Sequence, residues 1–127
     1  MIDHISIAVR DLAKADAFYK ALLAPLGIAK LREWPGAAIG FGRKYPEFWI
    51  NRRDAMDRVA SDSGVHICLR APDTEAVGAF HAAAVTSGGV SDGAPGLRKE
   101  YHDNYYAAFI RDPDGNRIEA VTFLRND

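Results

Sequence analysis

Cysteine is almost absent from this chain: Cys68 stands alone among 127 residues. That excludes an internal disulfide framework and fits a reducing compartment. No apolar run approaches the roughly 18 residues that span a bilayer. The opening Met1-Ile2-Asp3-His4-Ile5-Ser6 has no basic stretch leading into an apolar one, so the sequence predicts neither a membrane segment nor a secretory leader. An excess of one charge is missing too, with 16 Lys and Arg against 17 Asp and Glu for a net charge of −1. Without a basic run, neither nucleic acid nor an acidic membrane surface is an expected partner. There is no nucleotide-binding glycine loop, no local Ser/His/Asp signature and no low-complexity segment. What remains is 48% hydrophobic and 26% charged, the composition of one ordinary globular domain, expected to be soluble and cytoplasmic.

The most informative feature present is an internal repeat. His4-Ile5-Ser6-Ile7-Ala8-Val9 lies over His66-Ile67-Cys68-Leu69-Arg70-Ala71 and, at the same offset, Asp11 falls on Asp73, Ala17 on Ala79, Phe18 on Phe80 and Gly27 on Gly89. Each matched residue has the same structural task in both halves. Ile5, Ile7 and Val9 alternate as on a strand, as do Val65, Ile67 and Leu69. Asp11 and Asp73 follow where an N-cap belongs, their carboxylates able to accept the first free helix N–H groups. Leu12, Ala15, Tyr19, Leu22 and Leu26 then share one helical face, as do Val77, Phe80 and Ala84. Pro25 and Gly27 end the first helix, and Ser87-Gly88-Gly89 the second.

Strands are expected over 28–34, 37–42 and 48–52 in the first half and over 105–110 and 117–124 in the second, the last pair flanking the turn Asp112-Pro113-Asp114-Gly115-Asn116. A further strand between Val90 and Tyr101 is interrupted by Gly93, Pro95 and Gly96. The polar stretch 54–63 reads as a linker. The expected architecture is α+β: two βαβββ units, about 1–53 and 64–125, forming a curved eight-stranded mixed sheet with helices outside.

Alternation separates two faces of each strand. If Ile5, Ile7 and Val9 face the helices, His4, Ser6 and Ala8 face away. If Val65, Ile67 and Leu69 face the helices, His66, Cys68 and Arg70 face away. On the last strand Glu119 shares a face with Arg117 and Val121. Pairing the halves about a pseudo-twofold axis would bring His4, His66 and Glu119 together. Two imidazoles and a carboxylate suit a divalent ion such as Zn²⁺, Ni²⁺, Mn²⁺ or Fe²⁺ and leave positions open for substrate.

Met1-Ile-Asp-His4-Ile-Ser-Ile, Gly64-Val-His66-Ile-Cys-Leu and Asp112-Pro-Asp-Gly-Asn-Arg-Ile-Glu119 resemble the three ligand-bearing segments of the vicinal oxygen chelate superfamily (glyoxalase, bleomycin resistance protein, extradiol dioxygenase). Gly93-Ala-Pro-Gly96 and Tyr101-His-Asp-Asn-Tyr-Tyr-Ala-Ala-Phe109 further resemble its glyoxalase-related subgroup. The resemblance implies paired βαβββ units around one divalent metal held by His4, His66 and Glu119, a small-molecule substrate, and a homodimer that in some members exchanges units between chains. A fourth ligand, found in glyoxalase I relatives on the last strand of the first unit, is lacking: Phe48-Trp49-Ile50-Asn51 stands there, with Ile50 near the equivalent of Glu119.

The resemblance leads to a metal-dependent glyoxalase-like lyase or isomerase acting on a substrate that chelates the metal through adjacent oxygens. Alternatives are an Fe²⁺ extradiol-type dioxygenase and a non-enzymatic drug- or metabolite-binding resistance protein. Besides Glu119, the candidates for catalytic proton transfer are His102, whose imidazole type titrates near neutrality, and Glu47. Phe41, Trp49, Cys68 and Tyr106 are candidates for the wall of the substrate pocket.

Overall fold

The computed structural model describes residues 1–125. The chain runs β1 (Ile5–Val9), α1 (Leu12–Leu23), β2 (Ala29–Trp34), β3 (Ala38–Gly42), β4 (Phe48–Arg52), β5 (His66–Arg70), α2 (Thr74–Thr86), β6 (Val90–Leu97), β7 (Tyr105–Arg111) and β8 (Arg117–Phe123). The βαβββ unit therefore occurs twice, and its eight strands divide between two four-stranded sheets ordered β1-β4-β3-β2 and β5-β8-β7-β6. In each unit the first and last strands pair in parallel and the others are antiparallel. Among the described residues no helix is long and apolar enough to cross a membrane.

Local chemistry sets the helix boundaries. Asp11 caps α1 by accepting the Lys14 N–H at 3.1 Å, and Asp73 caps α2 by accepting the Ala76 N–H at 2.8 Å. Each bond satisfies a donor that the first helical turn cannot. Pro25 sits in a 3-10 turn over Ala24–Leu26, and Gly27 closes it in the left-handed region. Leu12, Ala15, Tyr19, Leu22 and Leu26 are buried, as are Val77, Phe80 and Ala84. Each helix thus turns its apolar stripe inward. The helices pack against one another and against their sheets, giving one continuous core. Val65 departs from the alternation: it precedes β5 and is exposed.

The two halves meet head to tail. At the end of β1, the Asn116 side-chain amide donates to the Ala8 carbonyl at 3.0 Å and Arg10 Nε to Asp114 at 2.7 Å, so β1 ends against the β7–β8 turn. At the end of β5, Arg43 from the β3–β4 connection donates to the Arg70 carbonyl at 3.4 Å. Residues 53–65, which carry no helix or strand, lie over the same β7–β8 turn: the Val59 N–H donates to the Asp114 carbonyl and Arg58 to that of Pro113.

That turn is organised by one buried carboxylate. Asp112 Oδ1 accepts the backbone N–H groups of Asp114 and Asn116, while Oδ2 accepts the Asn116 amide and, at 2.6 Å, the Tyr19 hydroxyl from α1. Gly115 completes the turn at φ +90°, where a Cβ would also stand 3.1 Å from the Val59 carbonyl oxygen. Burial, then the charge of Asp112, holds the Tyr19 phenol well above its ordinary pKa, so it remains a donor. Burial also raises Asp112, against the opposing pull of the Tyr19 and Asn116 hydrogen bonds.

Tyr19→Phe removes one donor to a buried carboxylate and should destabilise the protein by about 1.5–3 kcal/mol. The measurement is a lower urea midpoint at unchanged m. Losing that donor raises the folded pKa of Asp112 further, and a raised folded pKa removes stability as pH climbs through it. The penalty should therefore be larger at neutrality than below a pH of about 3, where the unfolded Asp112 is also largely protonated.

Candidate functional site

The faces turned away from the helices are polar in both sheets. On the second sheet, strand register places Cys68 opposite Glu119 and Phe109 on the other side of it, with His66 opposite Arg117. Glu119 is the informative residue there, a carboxylate only 2% exposed. Such a group must find partners. His66 Nε2 lies 3.0 Å from its Oε1, and the Tyr105 hydroxyl donates to its Oε2. His66 itself is half-exposed.

Tyr105 is fixed from two sides. Its ring stands edge-to-face with Tyr101 and with Phe123, both at 5.3 Å between centroids. Burial first, and then the hydrogen bond to Glu119, pushes its phenol well above the ordinary range, so it remains a protonated donor. Cys68 lines the same face, its Sγ 3.9 Å from the Tyr105 hydroxyl. Desolvation, followed by the charge of Glu119, raises the thiol to about 12. The thiol is therefore neutral at neutral pH. A cavity of about 180 Å³ opens beside His66, lined in part by Tyr101, Phe109 and Arg117. Arg117 is engaged structurally, donating to the Ser61 carbonyl at 2.8 Å and lying 3.7 Å from Asp92.

The first sheet presents a different face. His4 precedes β1, half-exposed, with its Nδ1 2.8 Å from Asp3. Asn51 donates to the Ser6 hydroxyl at 2.7 Å. Trp49 pairs with Ser6 just as Glu119 pairs with Cys68. Trp49, not Ile50, is thus the symmetry mate of Glu119; Ile50 is buried in the core. Shifting the register by one residue reverses the face, and the irregular β3–β4 connection conceals that shift in the sequence.

The remaining candidates separate clearly. Phe41 is wholly buried with its ring 6.5 Å from Tyr19, so it packs the core instead of forming the polar wall. Tyr106 packs against the core on the helix side, while its neighbour Tyr105 faces Glu119. Parity across the β7–β8 hairpin distinguishes them, because Arg111 pairs with Arg117 and odd-numbered residues of β7 share the face of Glu119. Glu47 is exposed immediately before β4, beside the start of β1, where its carbonyl accepts the Ile5 N–H. His102 is exposed before β7, stacked edge-on against Phe123, and its Nδ1 accepts the Asn104 N–H at 3.0 Å.

Within one chain His66 and Glu119 come together and His4 does not join them. Among the described residues no three His, Cys, Asp or Glu side chains group closely enough to hold an ion. The head-to-tail packing explains this. The end of β1 abuts the turn that leads into β8, next to the start of β5. His4 and His66 each stand at the start of their strands, and β1 and β5 run in opposite senses, so the two lie four strand steps or about 13 Å apart along the strand direction.

A family model described as the Glyoxalase/Bleomycin resistance protein/Dioxygenase superfamily matches residues 1–120. The chain belongs to this superfamily. Solved relatives agree in fold. A glyoxalase/bleomycin resistance protein from Albidiferax ferrireducens is 30% identical, with 94% of this chain and 96% of that one covered and a TM-score of 0.81. A family enzyme from Burkholderia phytofirmans is 20% identical, covering 97% and 98%, with a TM-score of 0.72. A variant of the fosfomycin resistance protein FosX from Listeria monocytogenes, complexed with Mn(II) and 1S,2S-dihydroxypropylphosphonic acid, is 17% identical, covering 94% and 87%, with a TM-score of 0.69. No curated protein matches the chain.

The environment of Cys68 can be tested chemically. Alkylation by iodoacetamide at about pH 8 should run roughly tens of times slower than for a free peptide thiol, the lost thiolate fraction being partly offset by higher intrinsic nucleophilicity. The rate should climb with pH through about 10 without a plateau. Glu119→Gln removes a negative charge beside the thiol and should accelerate the reaction severalfold.

Proposed function

We propose that the chain is one subunit of a homodimeric, metal-dependent lyase or isomerase of glyoxalase-like chemistry, acting on a small substrate with two adjacent oxygens. Its ion is held by His66 and Glu119 of one chain together with the partner subunit's His4. The observation that carries this reading is the 3.0 Å approach of His66 Nε2 to the buried Glu119 Oε1. Two donors each about 2.1 Å from one ion, and at right angles around it, stand about 3.0 Å apart. The donor types and their spacing therefore fit a borderline divalent cation. Such an ion supplies Lewis acidity to the oxygens of a chelating substrate.

The separation of His4 from His66 supports a site divided between chains. A second copy that presents the polar face of its first sheet brings a His4 and a Trp49 to the His66–Glu119 pair, and by twofold symmetry receives the same in return. Glu47 travels with His4, since it precedes the strand beside β1. It is the better proton acceptor of the two candidates. With Nδ1 of His102 accepting the Asn104 N–H, the neutral ring carries its proton on Nε2 and presents a donor to its surroundings. His102 is then suited to stabilise or protonate an oxygen, and Glu47 to remove a proton.

Elemental analysis of wild type, His4→Ala and His66→Ala tests this arrangement. Wild type should carry close to one divalent ion per chain, and each variant should lose it. Unfolding the two variants together and refolding the mixture should restore about a quarter of the wild-type metal, because half the dimers are mixed and each mixed dimer has one intact site. Loss in both variants with no restoration would sink the shared site. Wild type that takes up none of Zn²⁺, Ni²⁺, Mn²⁺ or anaerobic Fe²⁺ would sink the metal reading and favour a bare binding cup.

A further inference from the structure

Resting on the metal-centre reading above, we propose that Tyr105 is a positioning residue that makes Glu119 a one-oxygen ligand. Its hydroxyl occupies Oε2 and leaves Oε1 alone to face His66 and an ion. The two carboxylate oxygens have different partners: Oε1 lies 3.0 Å from His66 Nε2, and Oε2 accepts the Tyr105 hydroxyl. With the carboxylate only 2% exposed, no solvent shell competes for Oε2.

The donor is braced in position. Tyr101 and Phe123 meet the Tyr105 ring edge-to-face, with interplanar angles of 75° and 89°. Phe123 is itself packed between the His102 ring, 5.7 Å away, and the Arg70 guanidinium, 5.0 Å from its centroid. Swinging the hydroxyl away from Glu119 would break these aromatic contacts, each worth about 0.5–1.5 kcal/mol beyond area burial.

A carboxylate can bind an ion through one oxygen or two, and the second oxygen consumes a coordination position. With Oε2 held by Tyr105, His66, Glu119 and the partner subunit's His4 would supply only three donor atoms. An ion held this way would keep positions free for both oxygens of a chelating substrate. Outer-shell partners that orient a ligand in this way typically influence metal affinity by 10–100-fold.

The test compares Co²⁺ and Zn²⁺ binding by wild type, Tyr105→Phe, Tyr101→Phe and Phe123→Ala. Affinity is read by competition with a chromophoric chelator, and coordination from the visible spectrum of the Co²⁺ protein. Tyr105→Phe keeps the ring and removes only the hydroxyl. It should bind Zn²⁺ about tenfold or more weakly and give an altered Co²⁺ spectrum. Phe123→Ala, which loosens the brace but keeps the hydroxyl, should give a smaller loss, and Tyr101→Phe should match wild type. Wild-type metal binding with an unchanged affinity and spectrum in Tyr105→Phe would overturn this proposal alone. An equal loss in Tyr101→Phe would also overturn it, by assigning the effect to the aromatic surroundings. Wild type without metal would overturn the metal-centre reading and this one with it.

Discussion

The hydrogen bond from Tyr19 to Asp112 is the joint on which the rest of the molecule depends. It ties the helix of the first unit to the hairpin turn of the second, and it is wholly buried. Around it the turn folds onto its own carboxylate, the linker lies across the turn, and the end of β1 docks against Asn116. Because the joint lies on the helix side of both sheets, their polar faces are directed outward. The same joint fixes the head-to-tail order that keeps His4 and His66 apart. A single constraint thus sets both the stability of the chain and the geography of its candidate ligands.

Much of the fold could be read from local chemistry. Asp11 and Asp73 cap their helices because capping is decided within four residues. The inward stripes of α1 and α2 follow from period alone. Strand alternation also placed His66, Cys68 and Glu119 on the polar side of the second sheet. What it could not place were residues whose face depends on register across an irregular connection. Trp49 and Ile50 differ by one step, as do Tyr105 and Tyr106, and in both pairs the residue on the face away from the helices emerges only from the observed ladders. The repeat showed that His4 and His66 are equivalent, but equivalence says nothing about whether equivalent positions meet within one chain.

Burial distinguishes the two faces chemically. The second sheet confines a carboxylate and satisfies it with an imidazole and a phenol. The first sheet offers an exposed imidazole, an amide bonded to a hydroxyl, and an indole. Two units of the same topology therefore differ at one equivalent position, a buried carboxylate in the second and an indole in the first. Among the described residues neither half groups three such side chains.

Trp49 in the place symmetric to Glu119 also has an electrical consequence. Two neutral imidazoles and one carboxylate would cancel only a single unit of a divalent ion's charge, whereas a second carboxylate at position 49 would cancel both. The metal centre proposed above would thus keep a net charge of about +1. In the proposed centre such a residual charge would favour the ionised form of an acidic ligand over its neutral form, so an indole at this position would bear on the protonation state of a bound ligand without touching a proton itself.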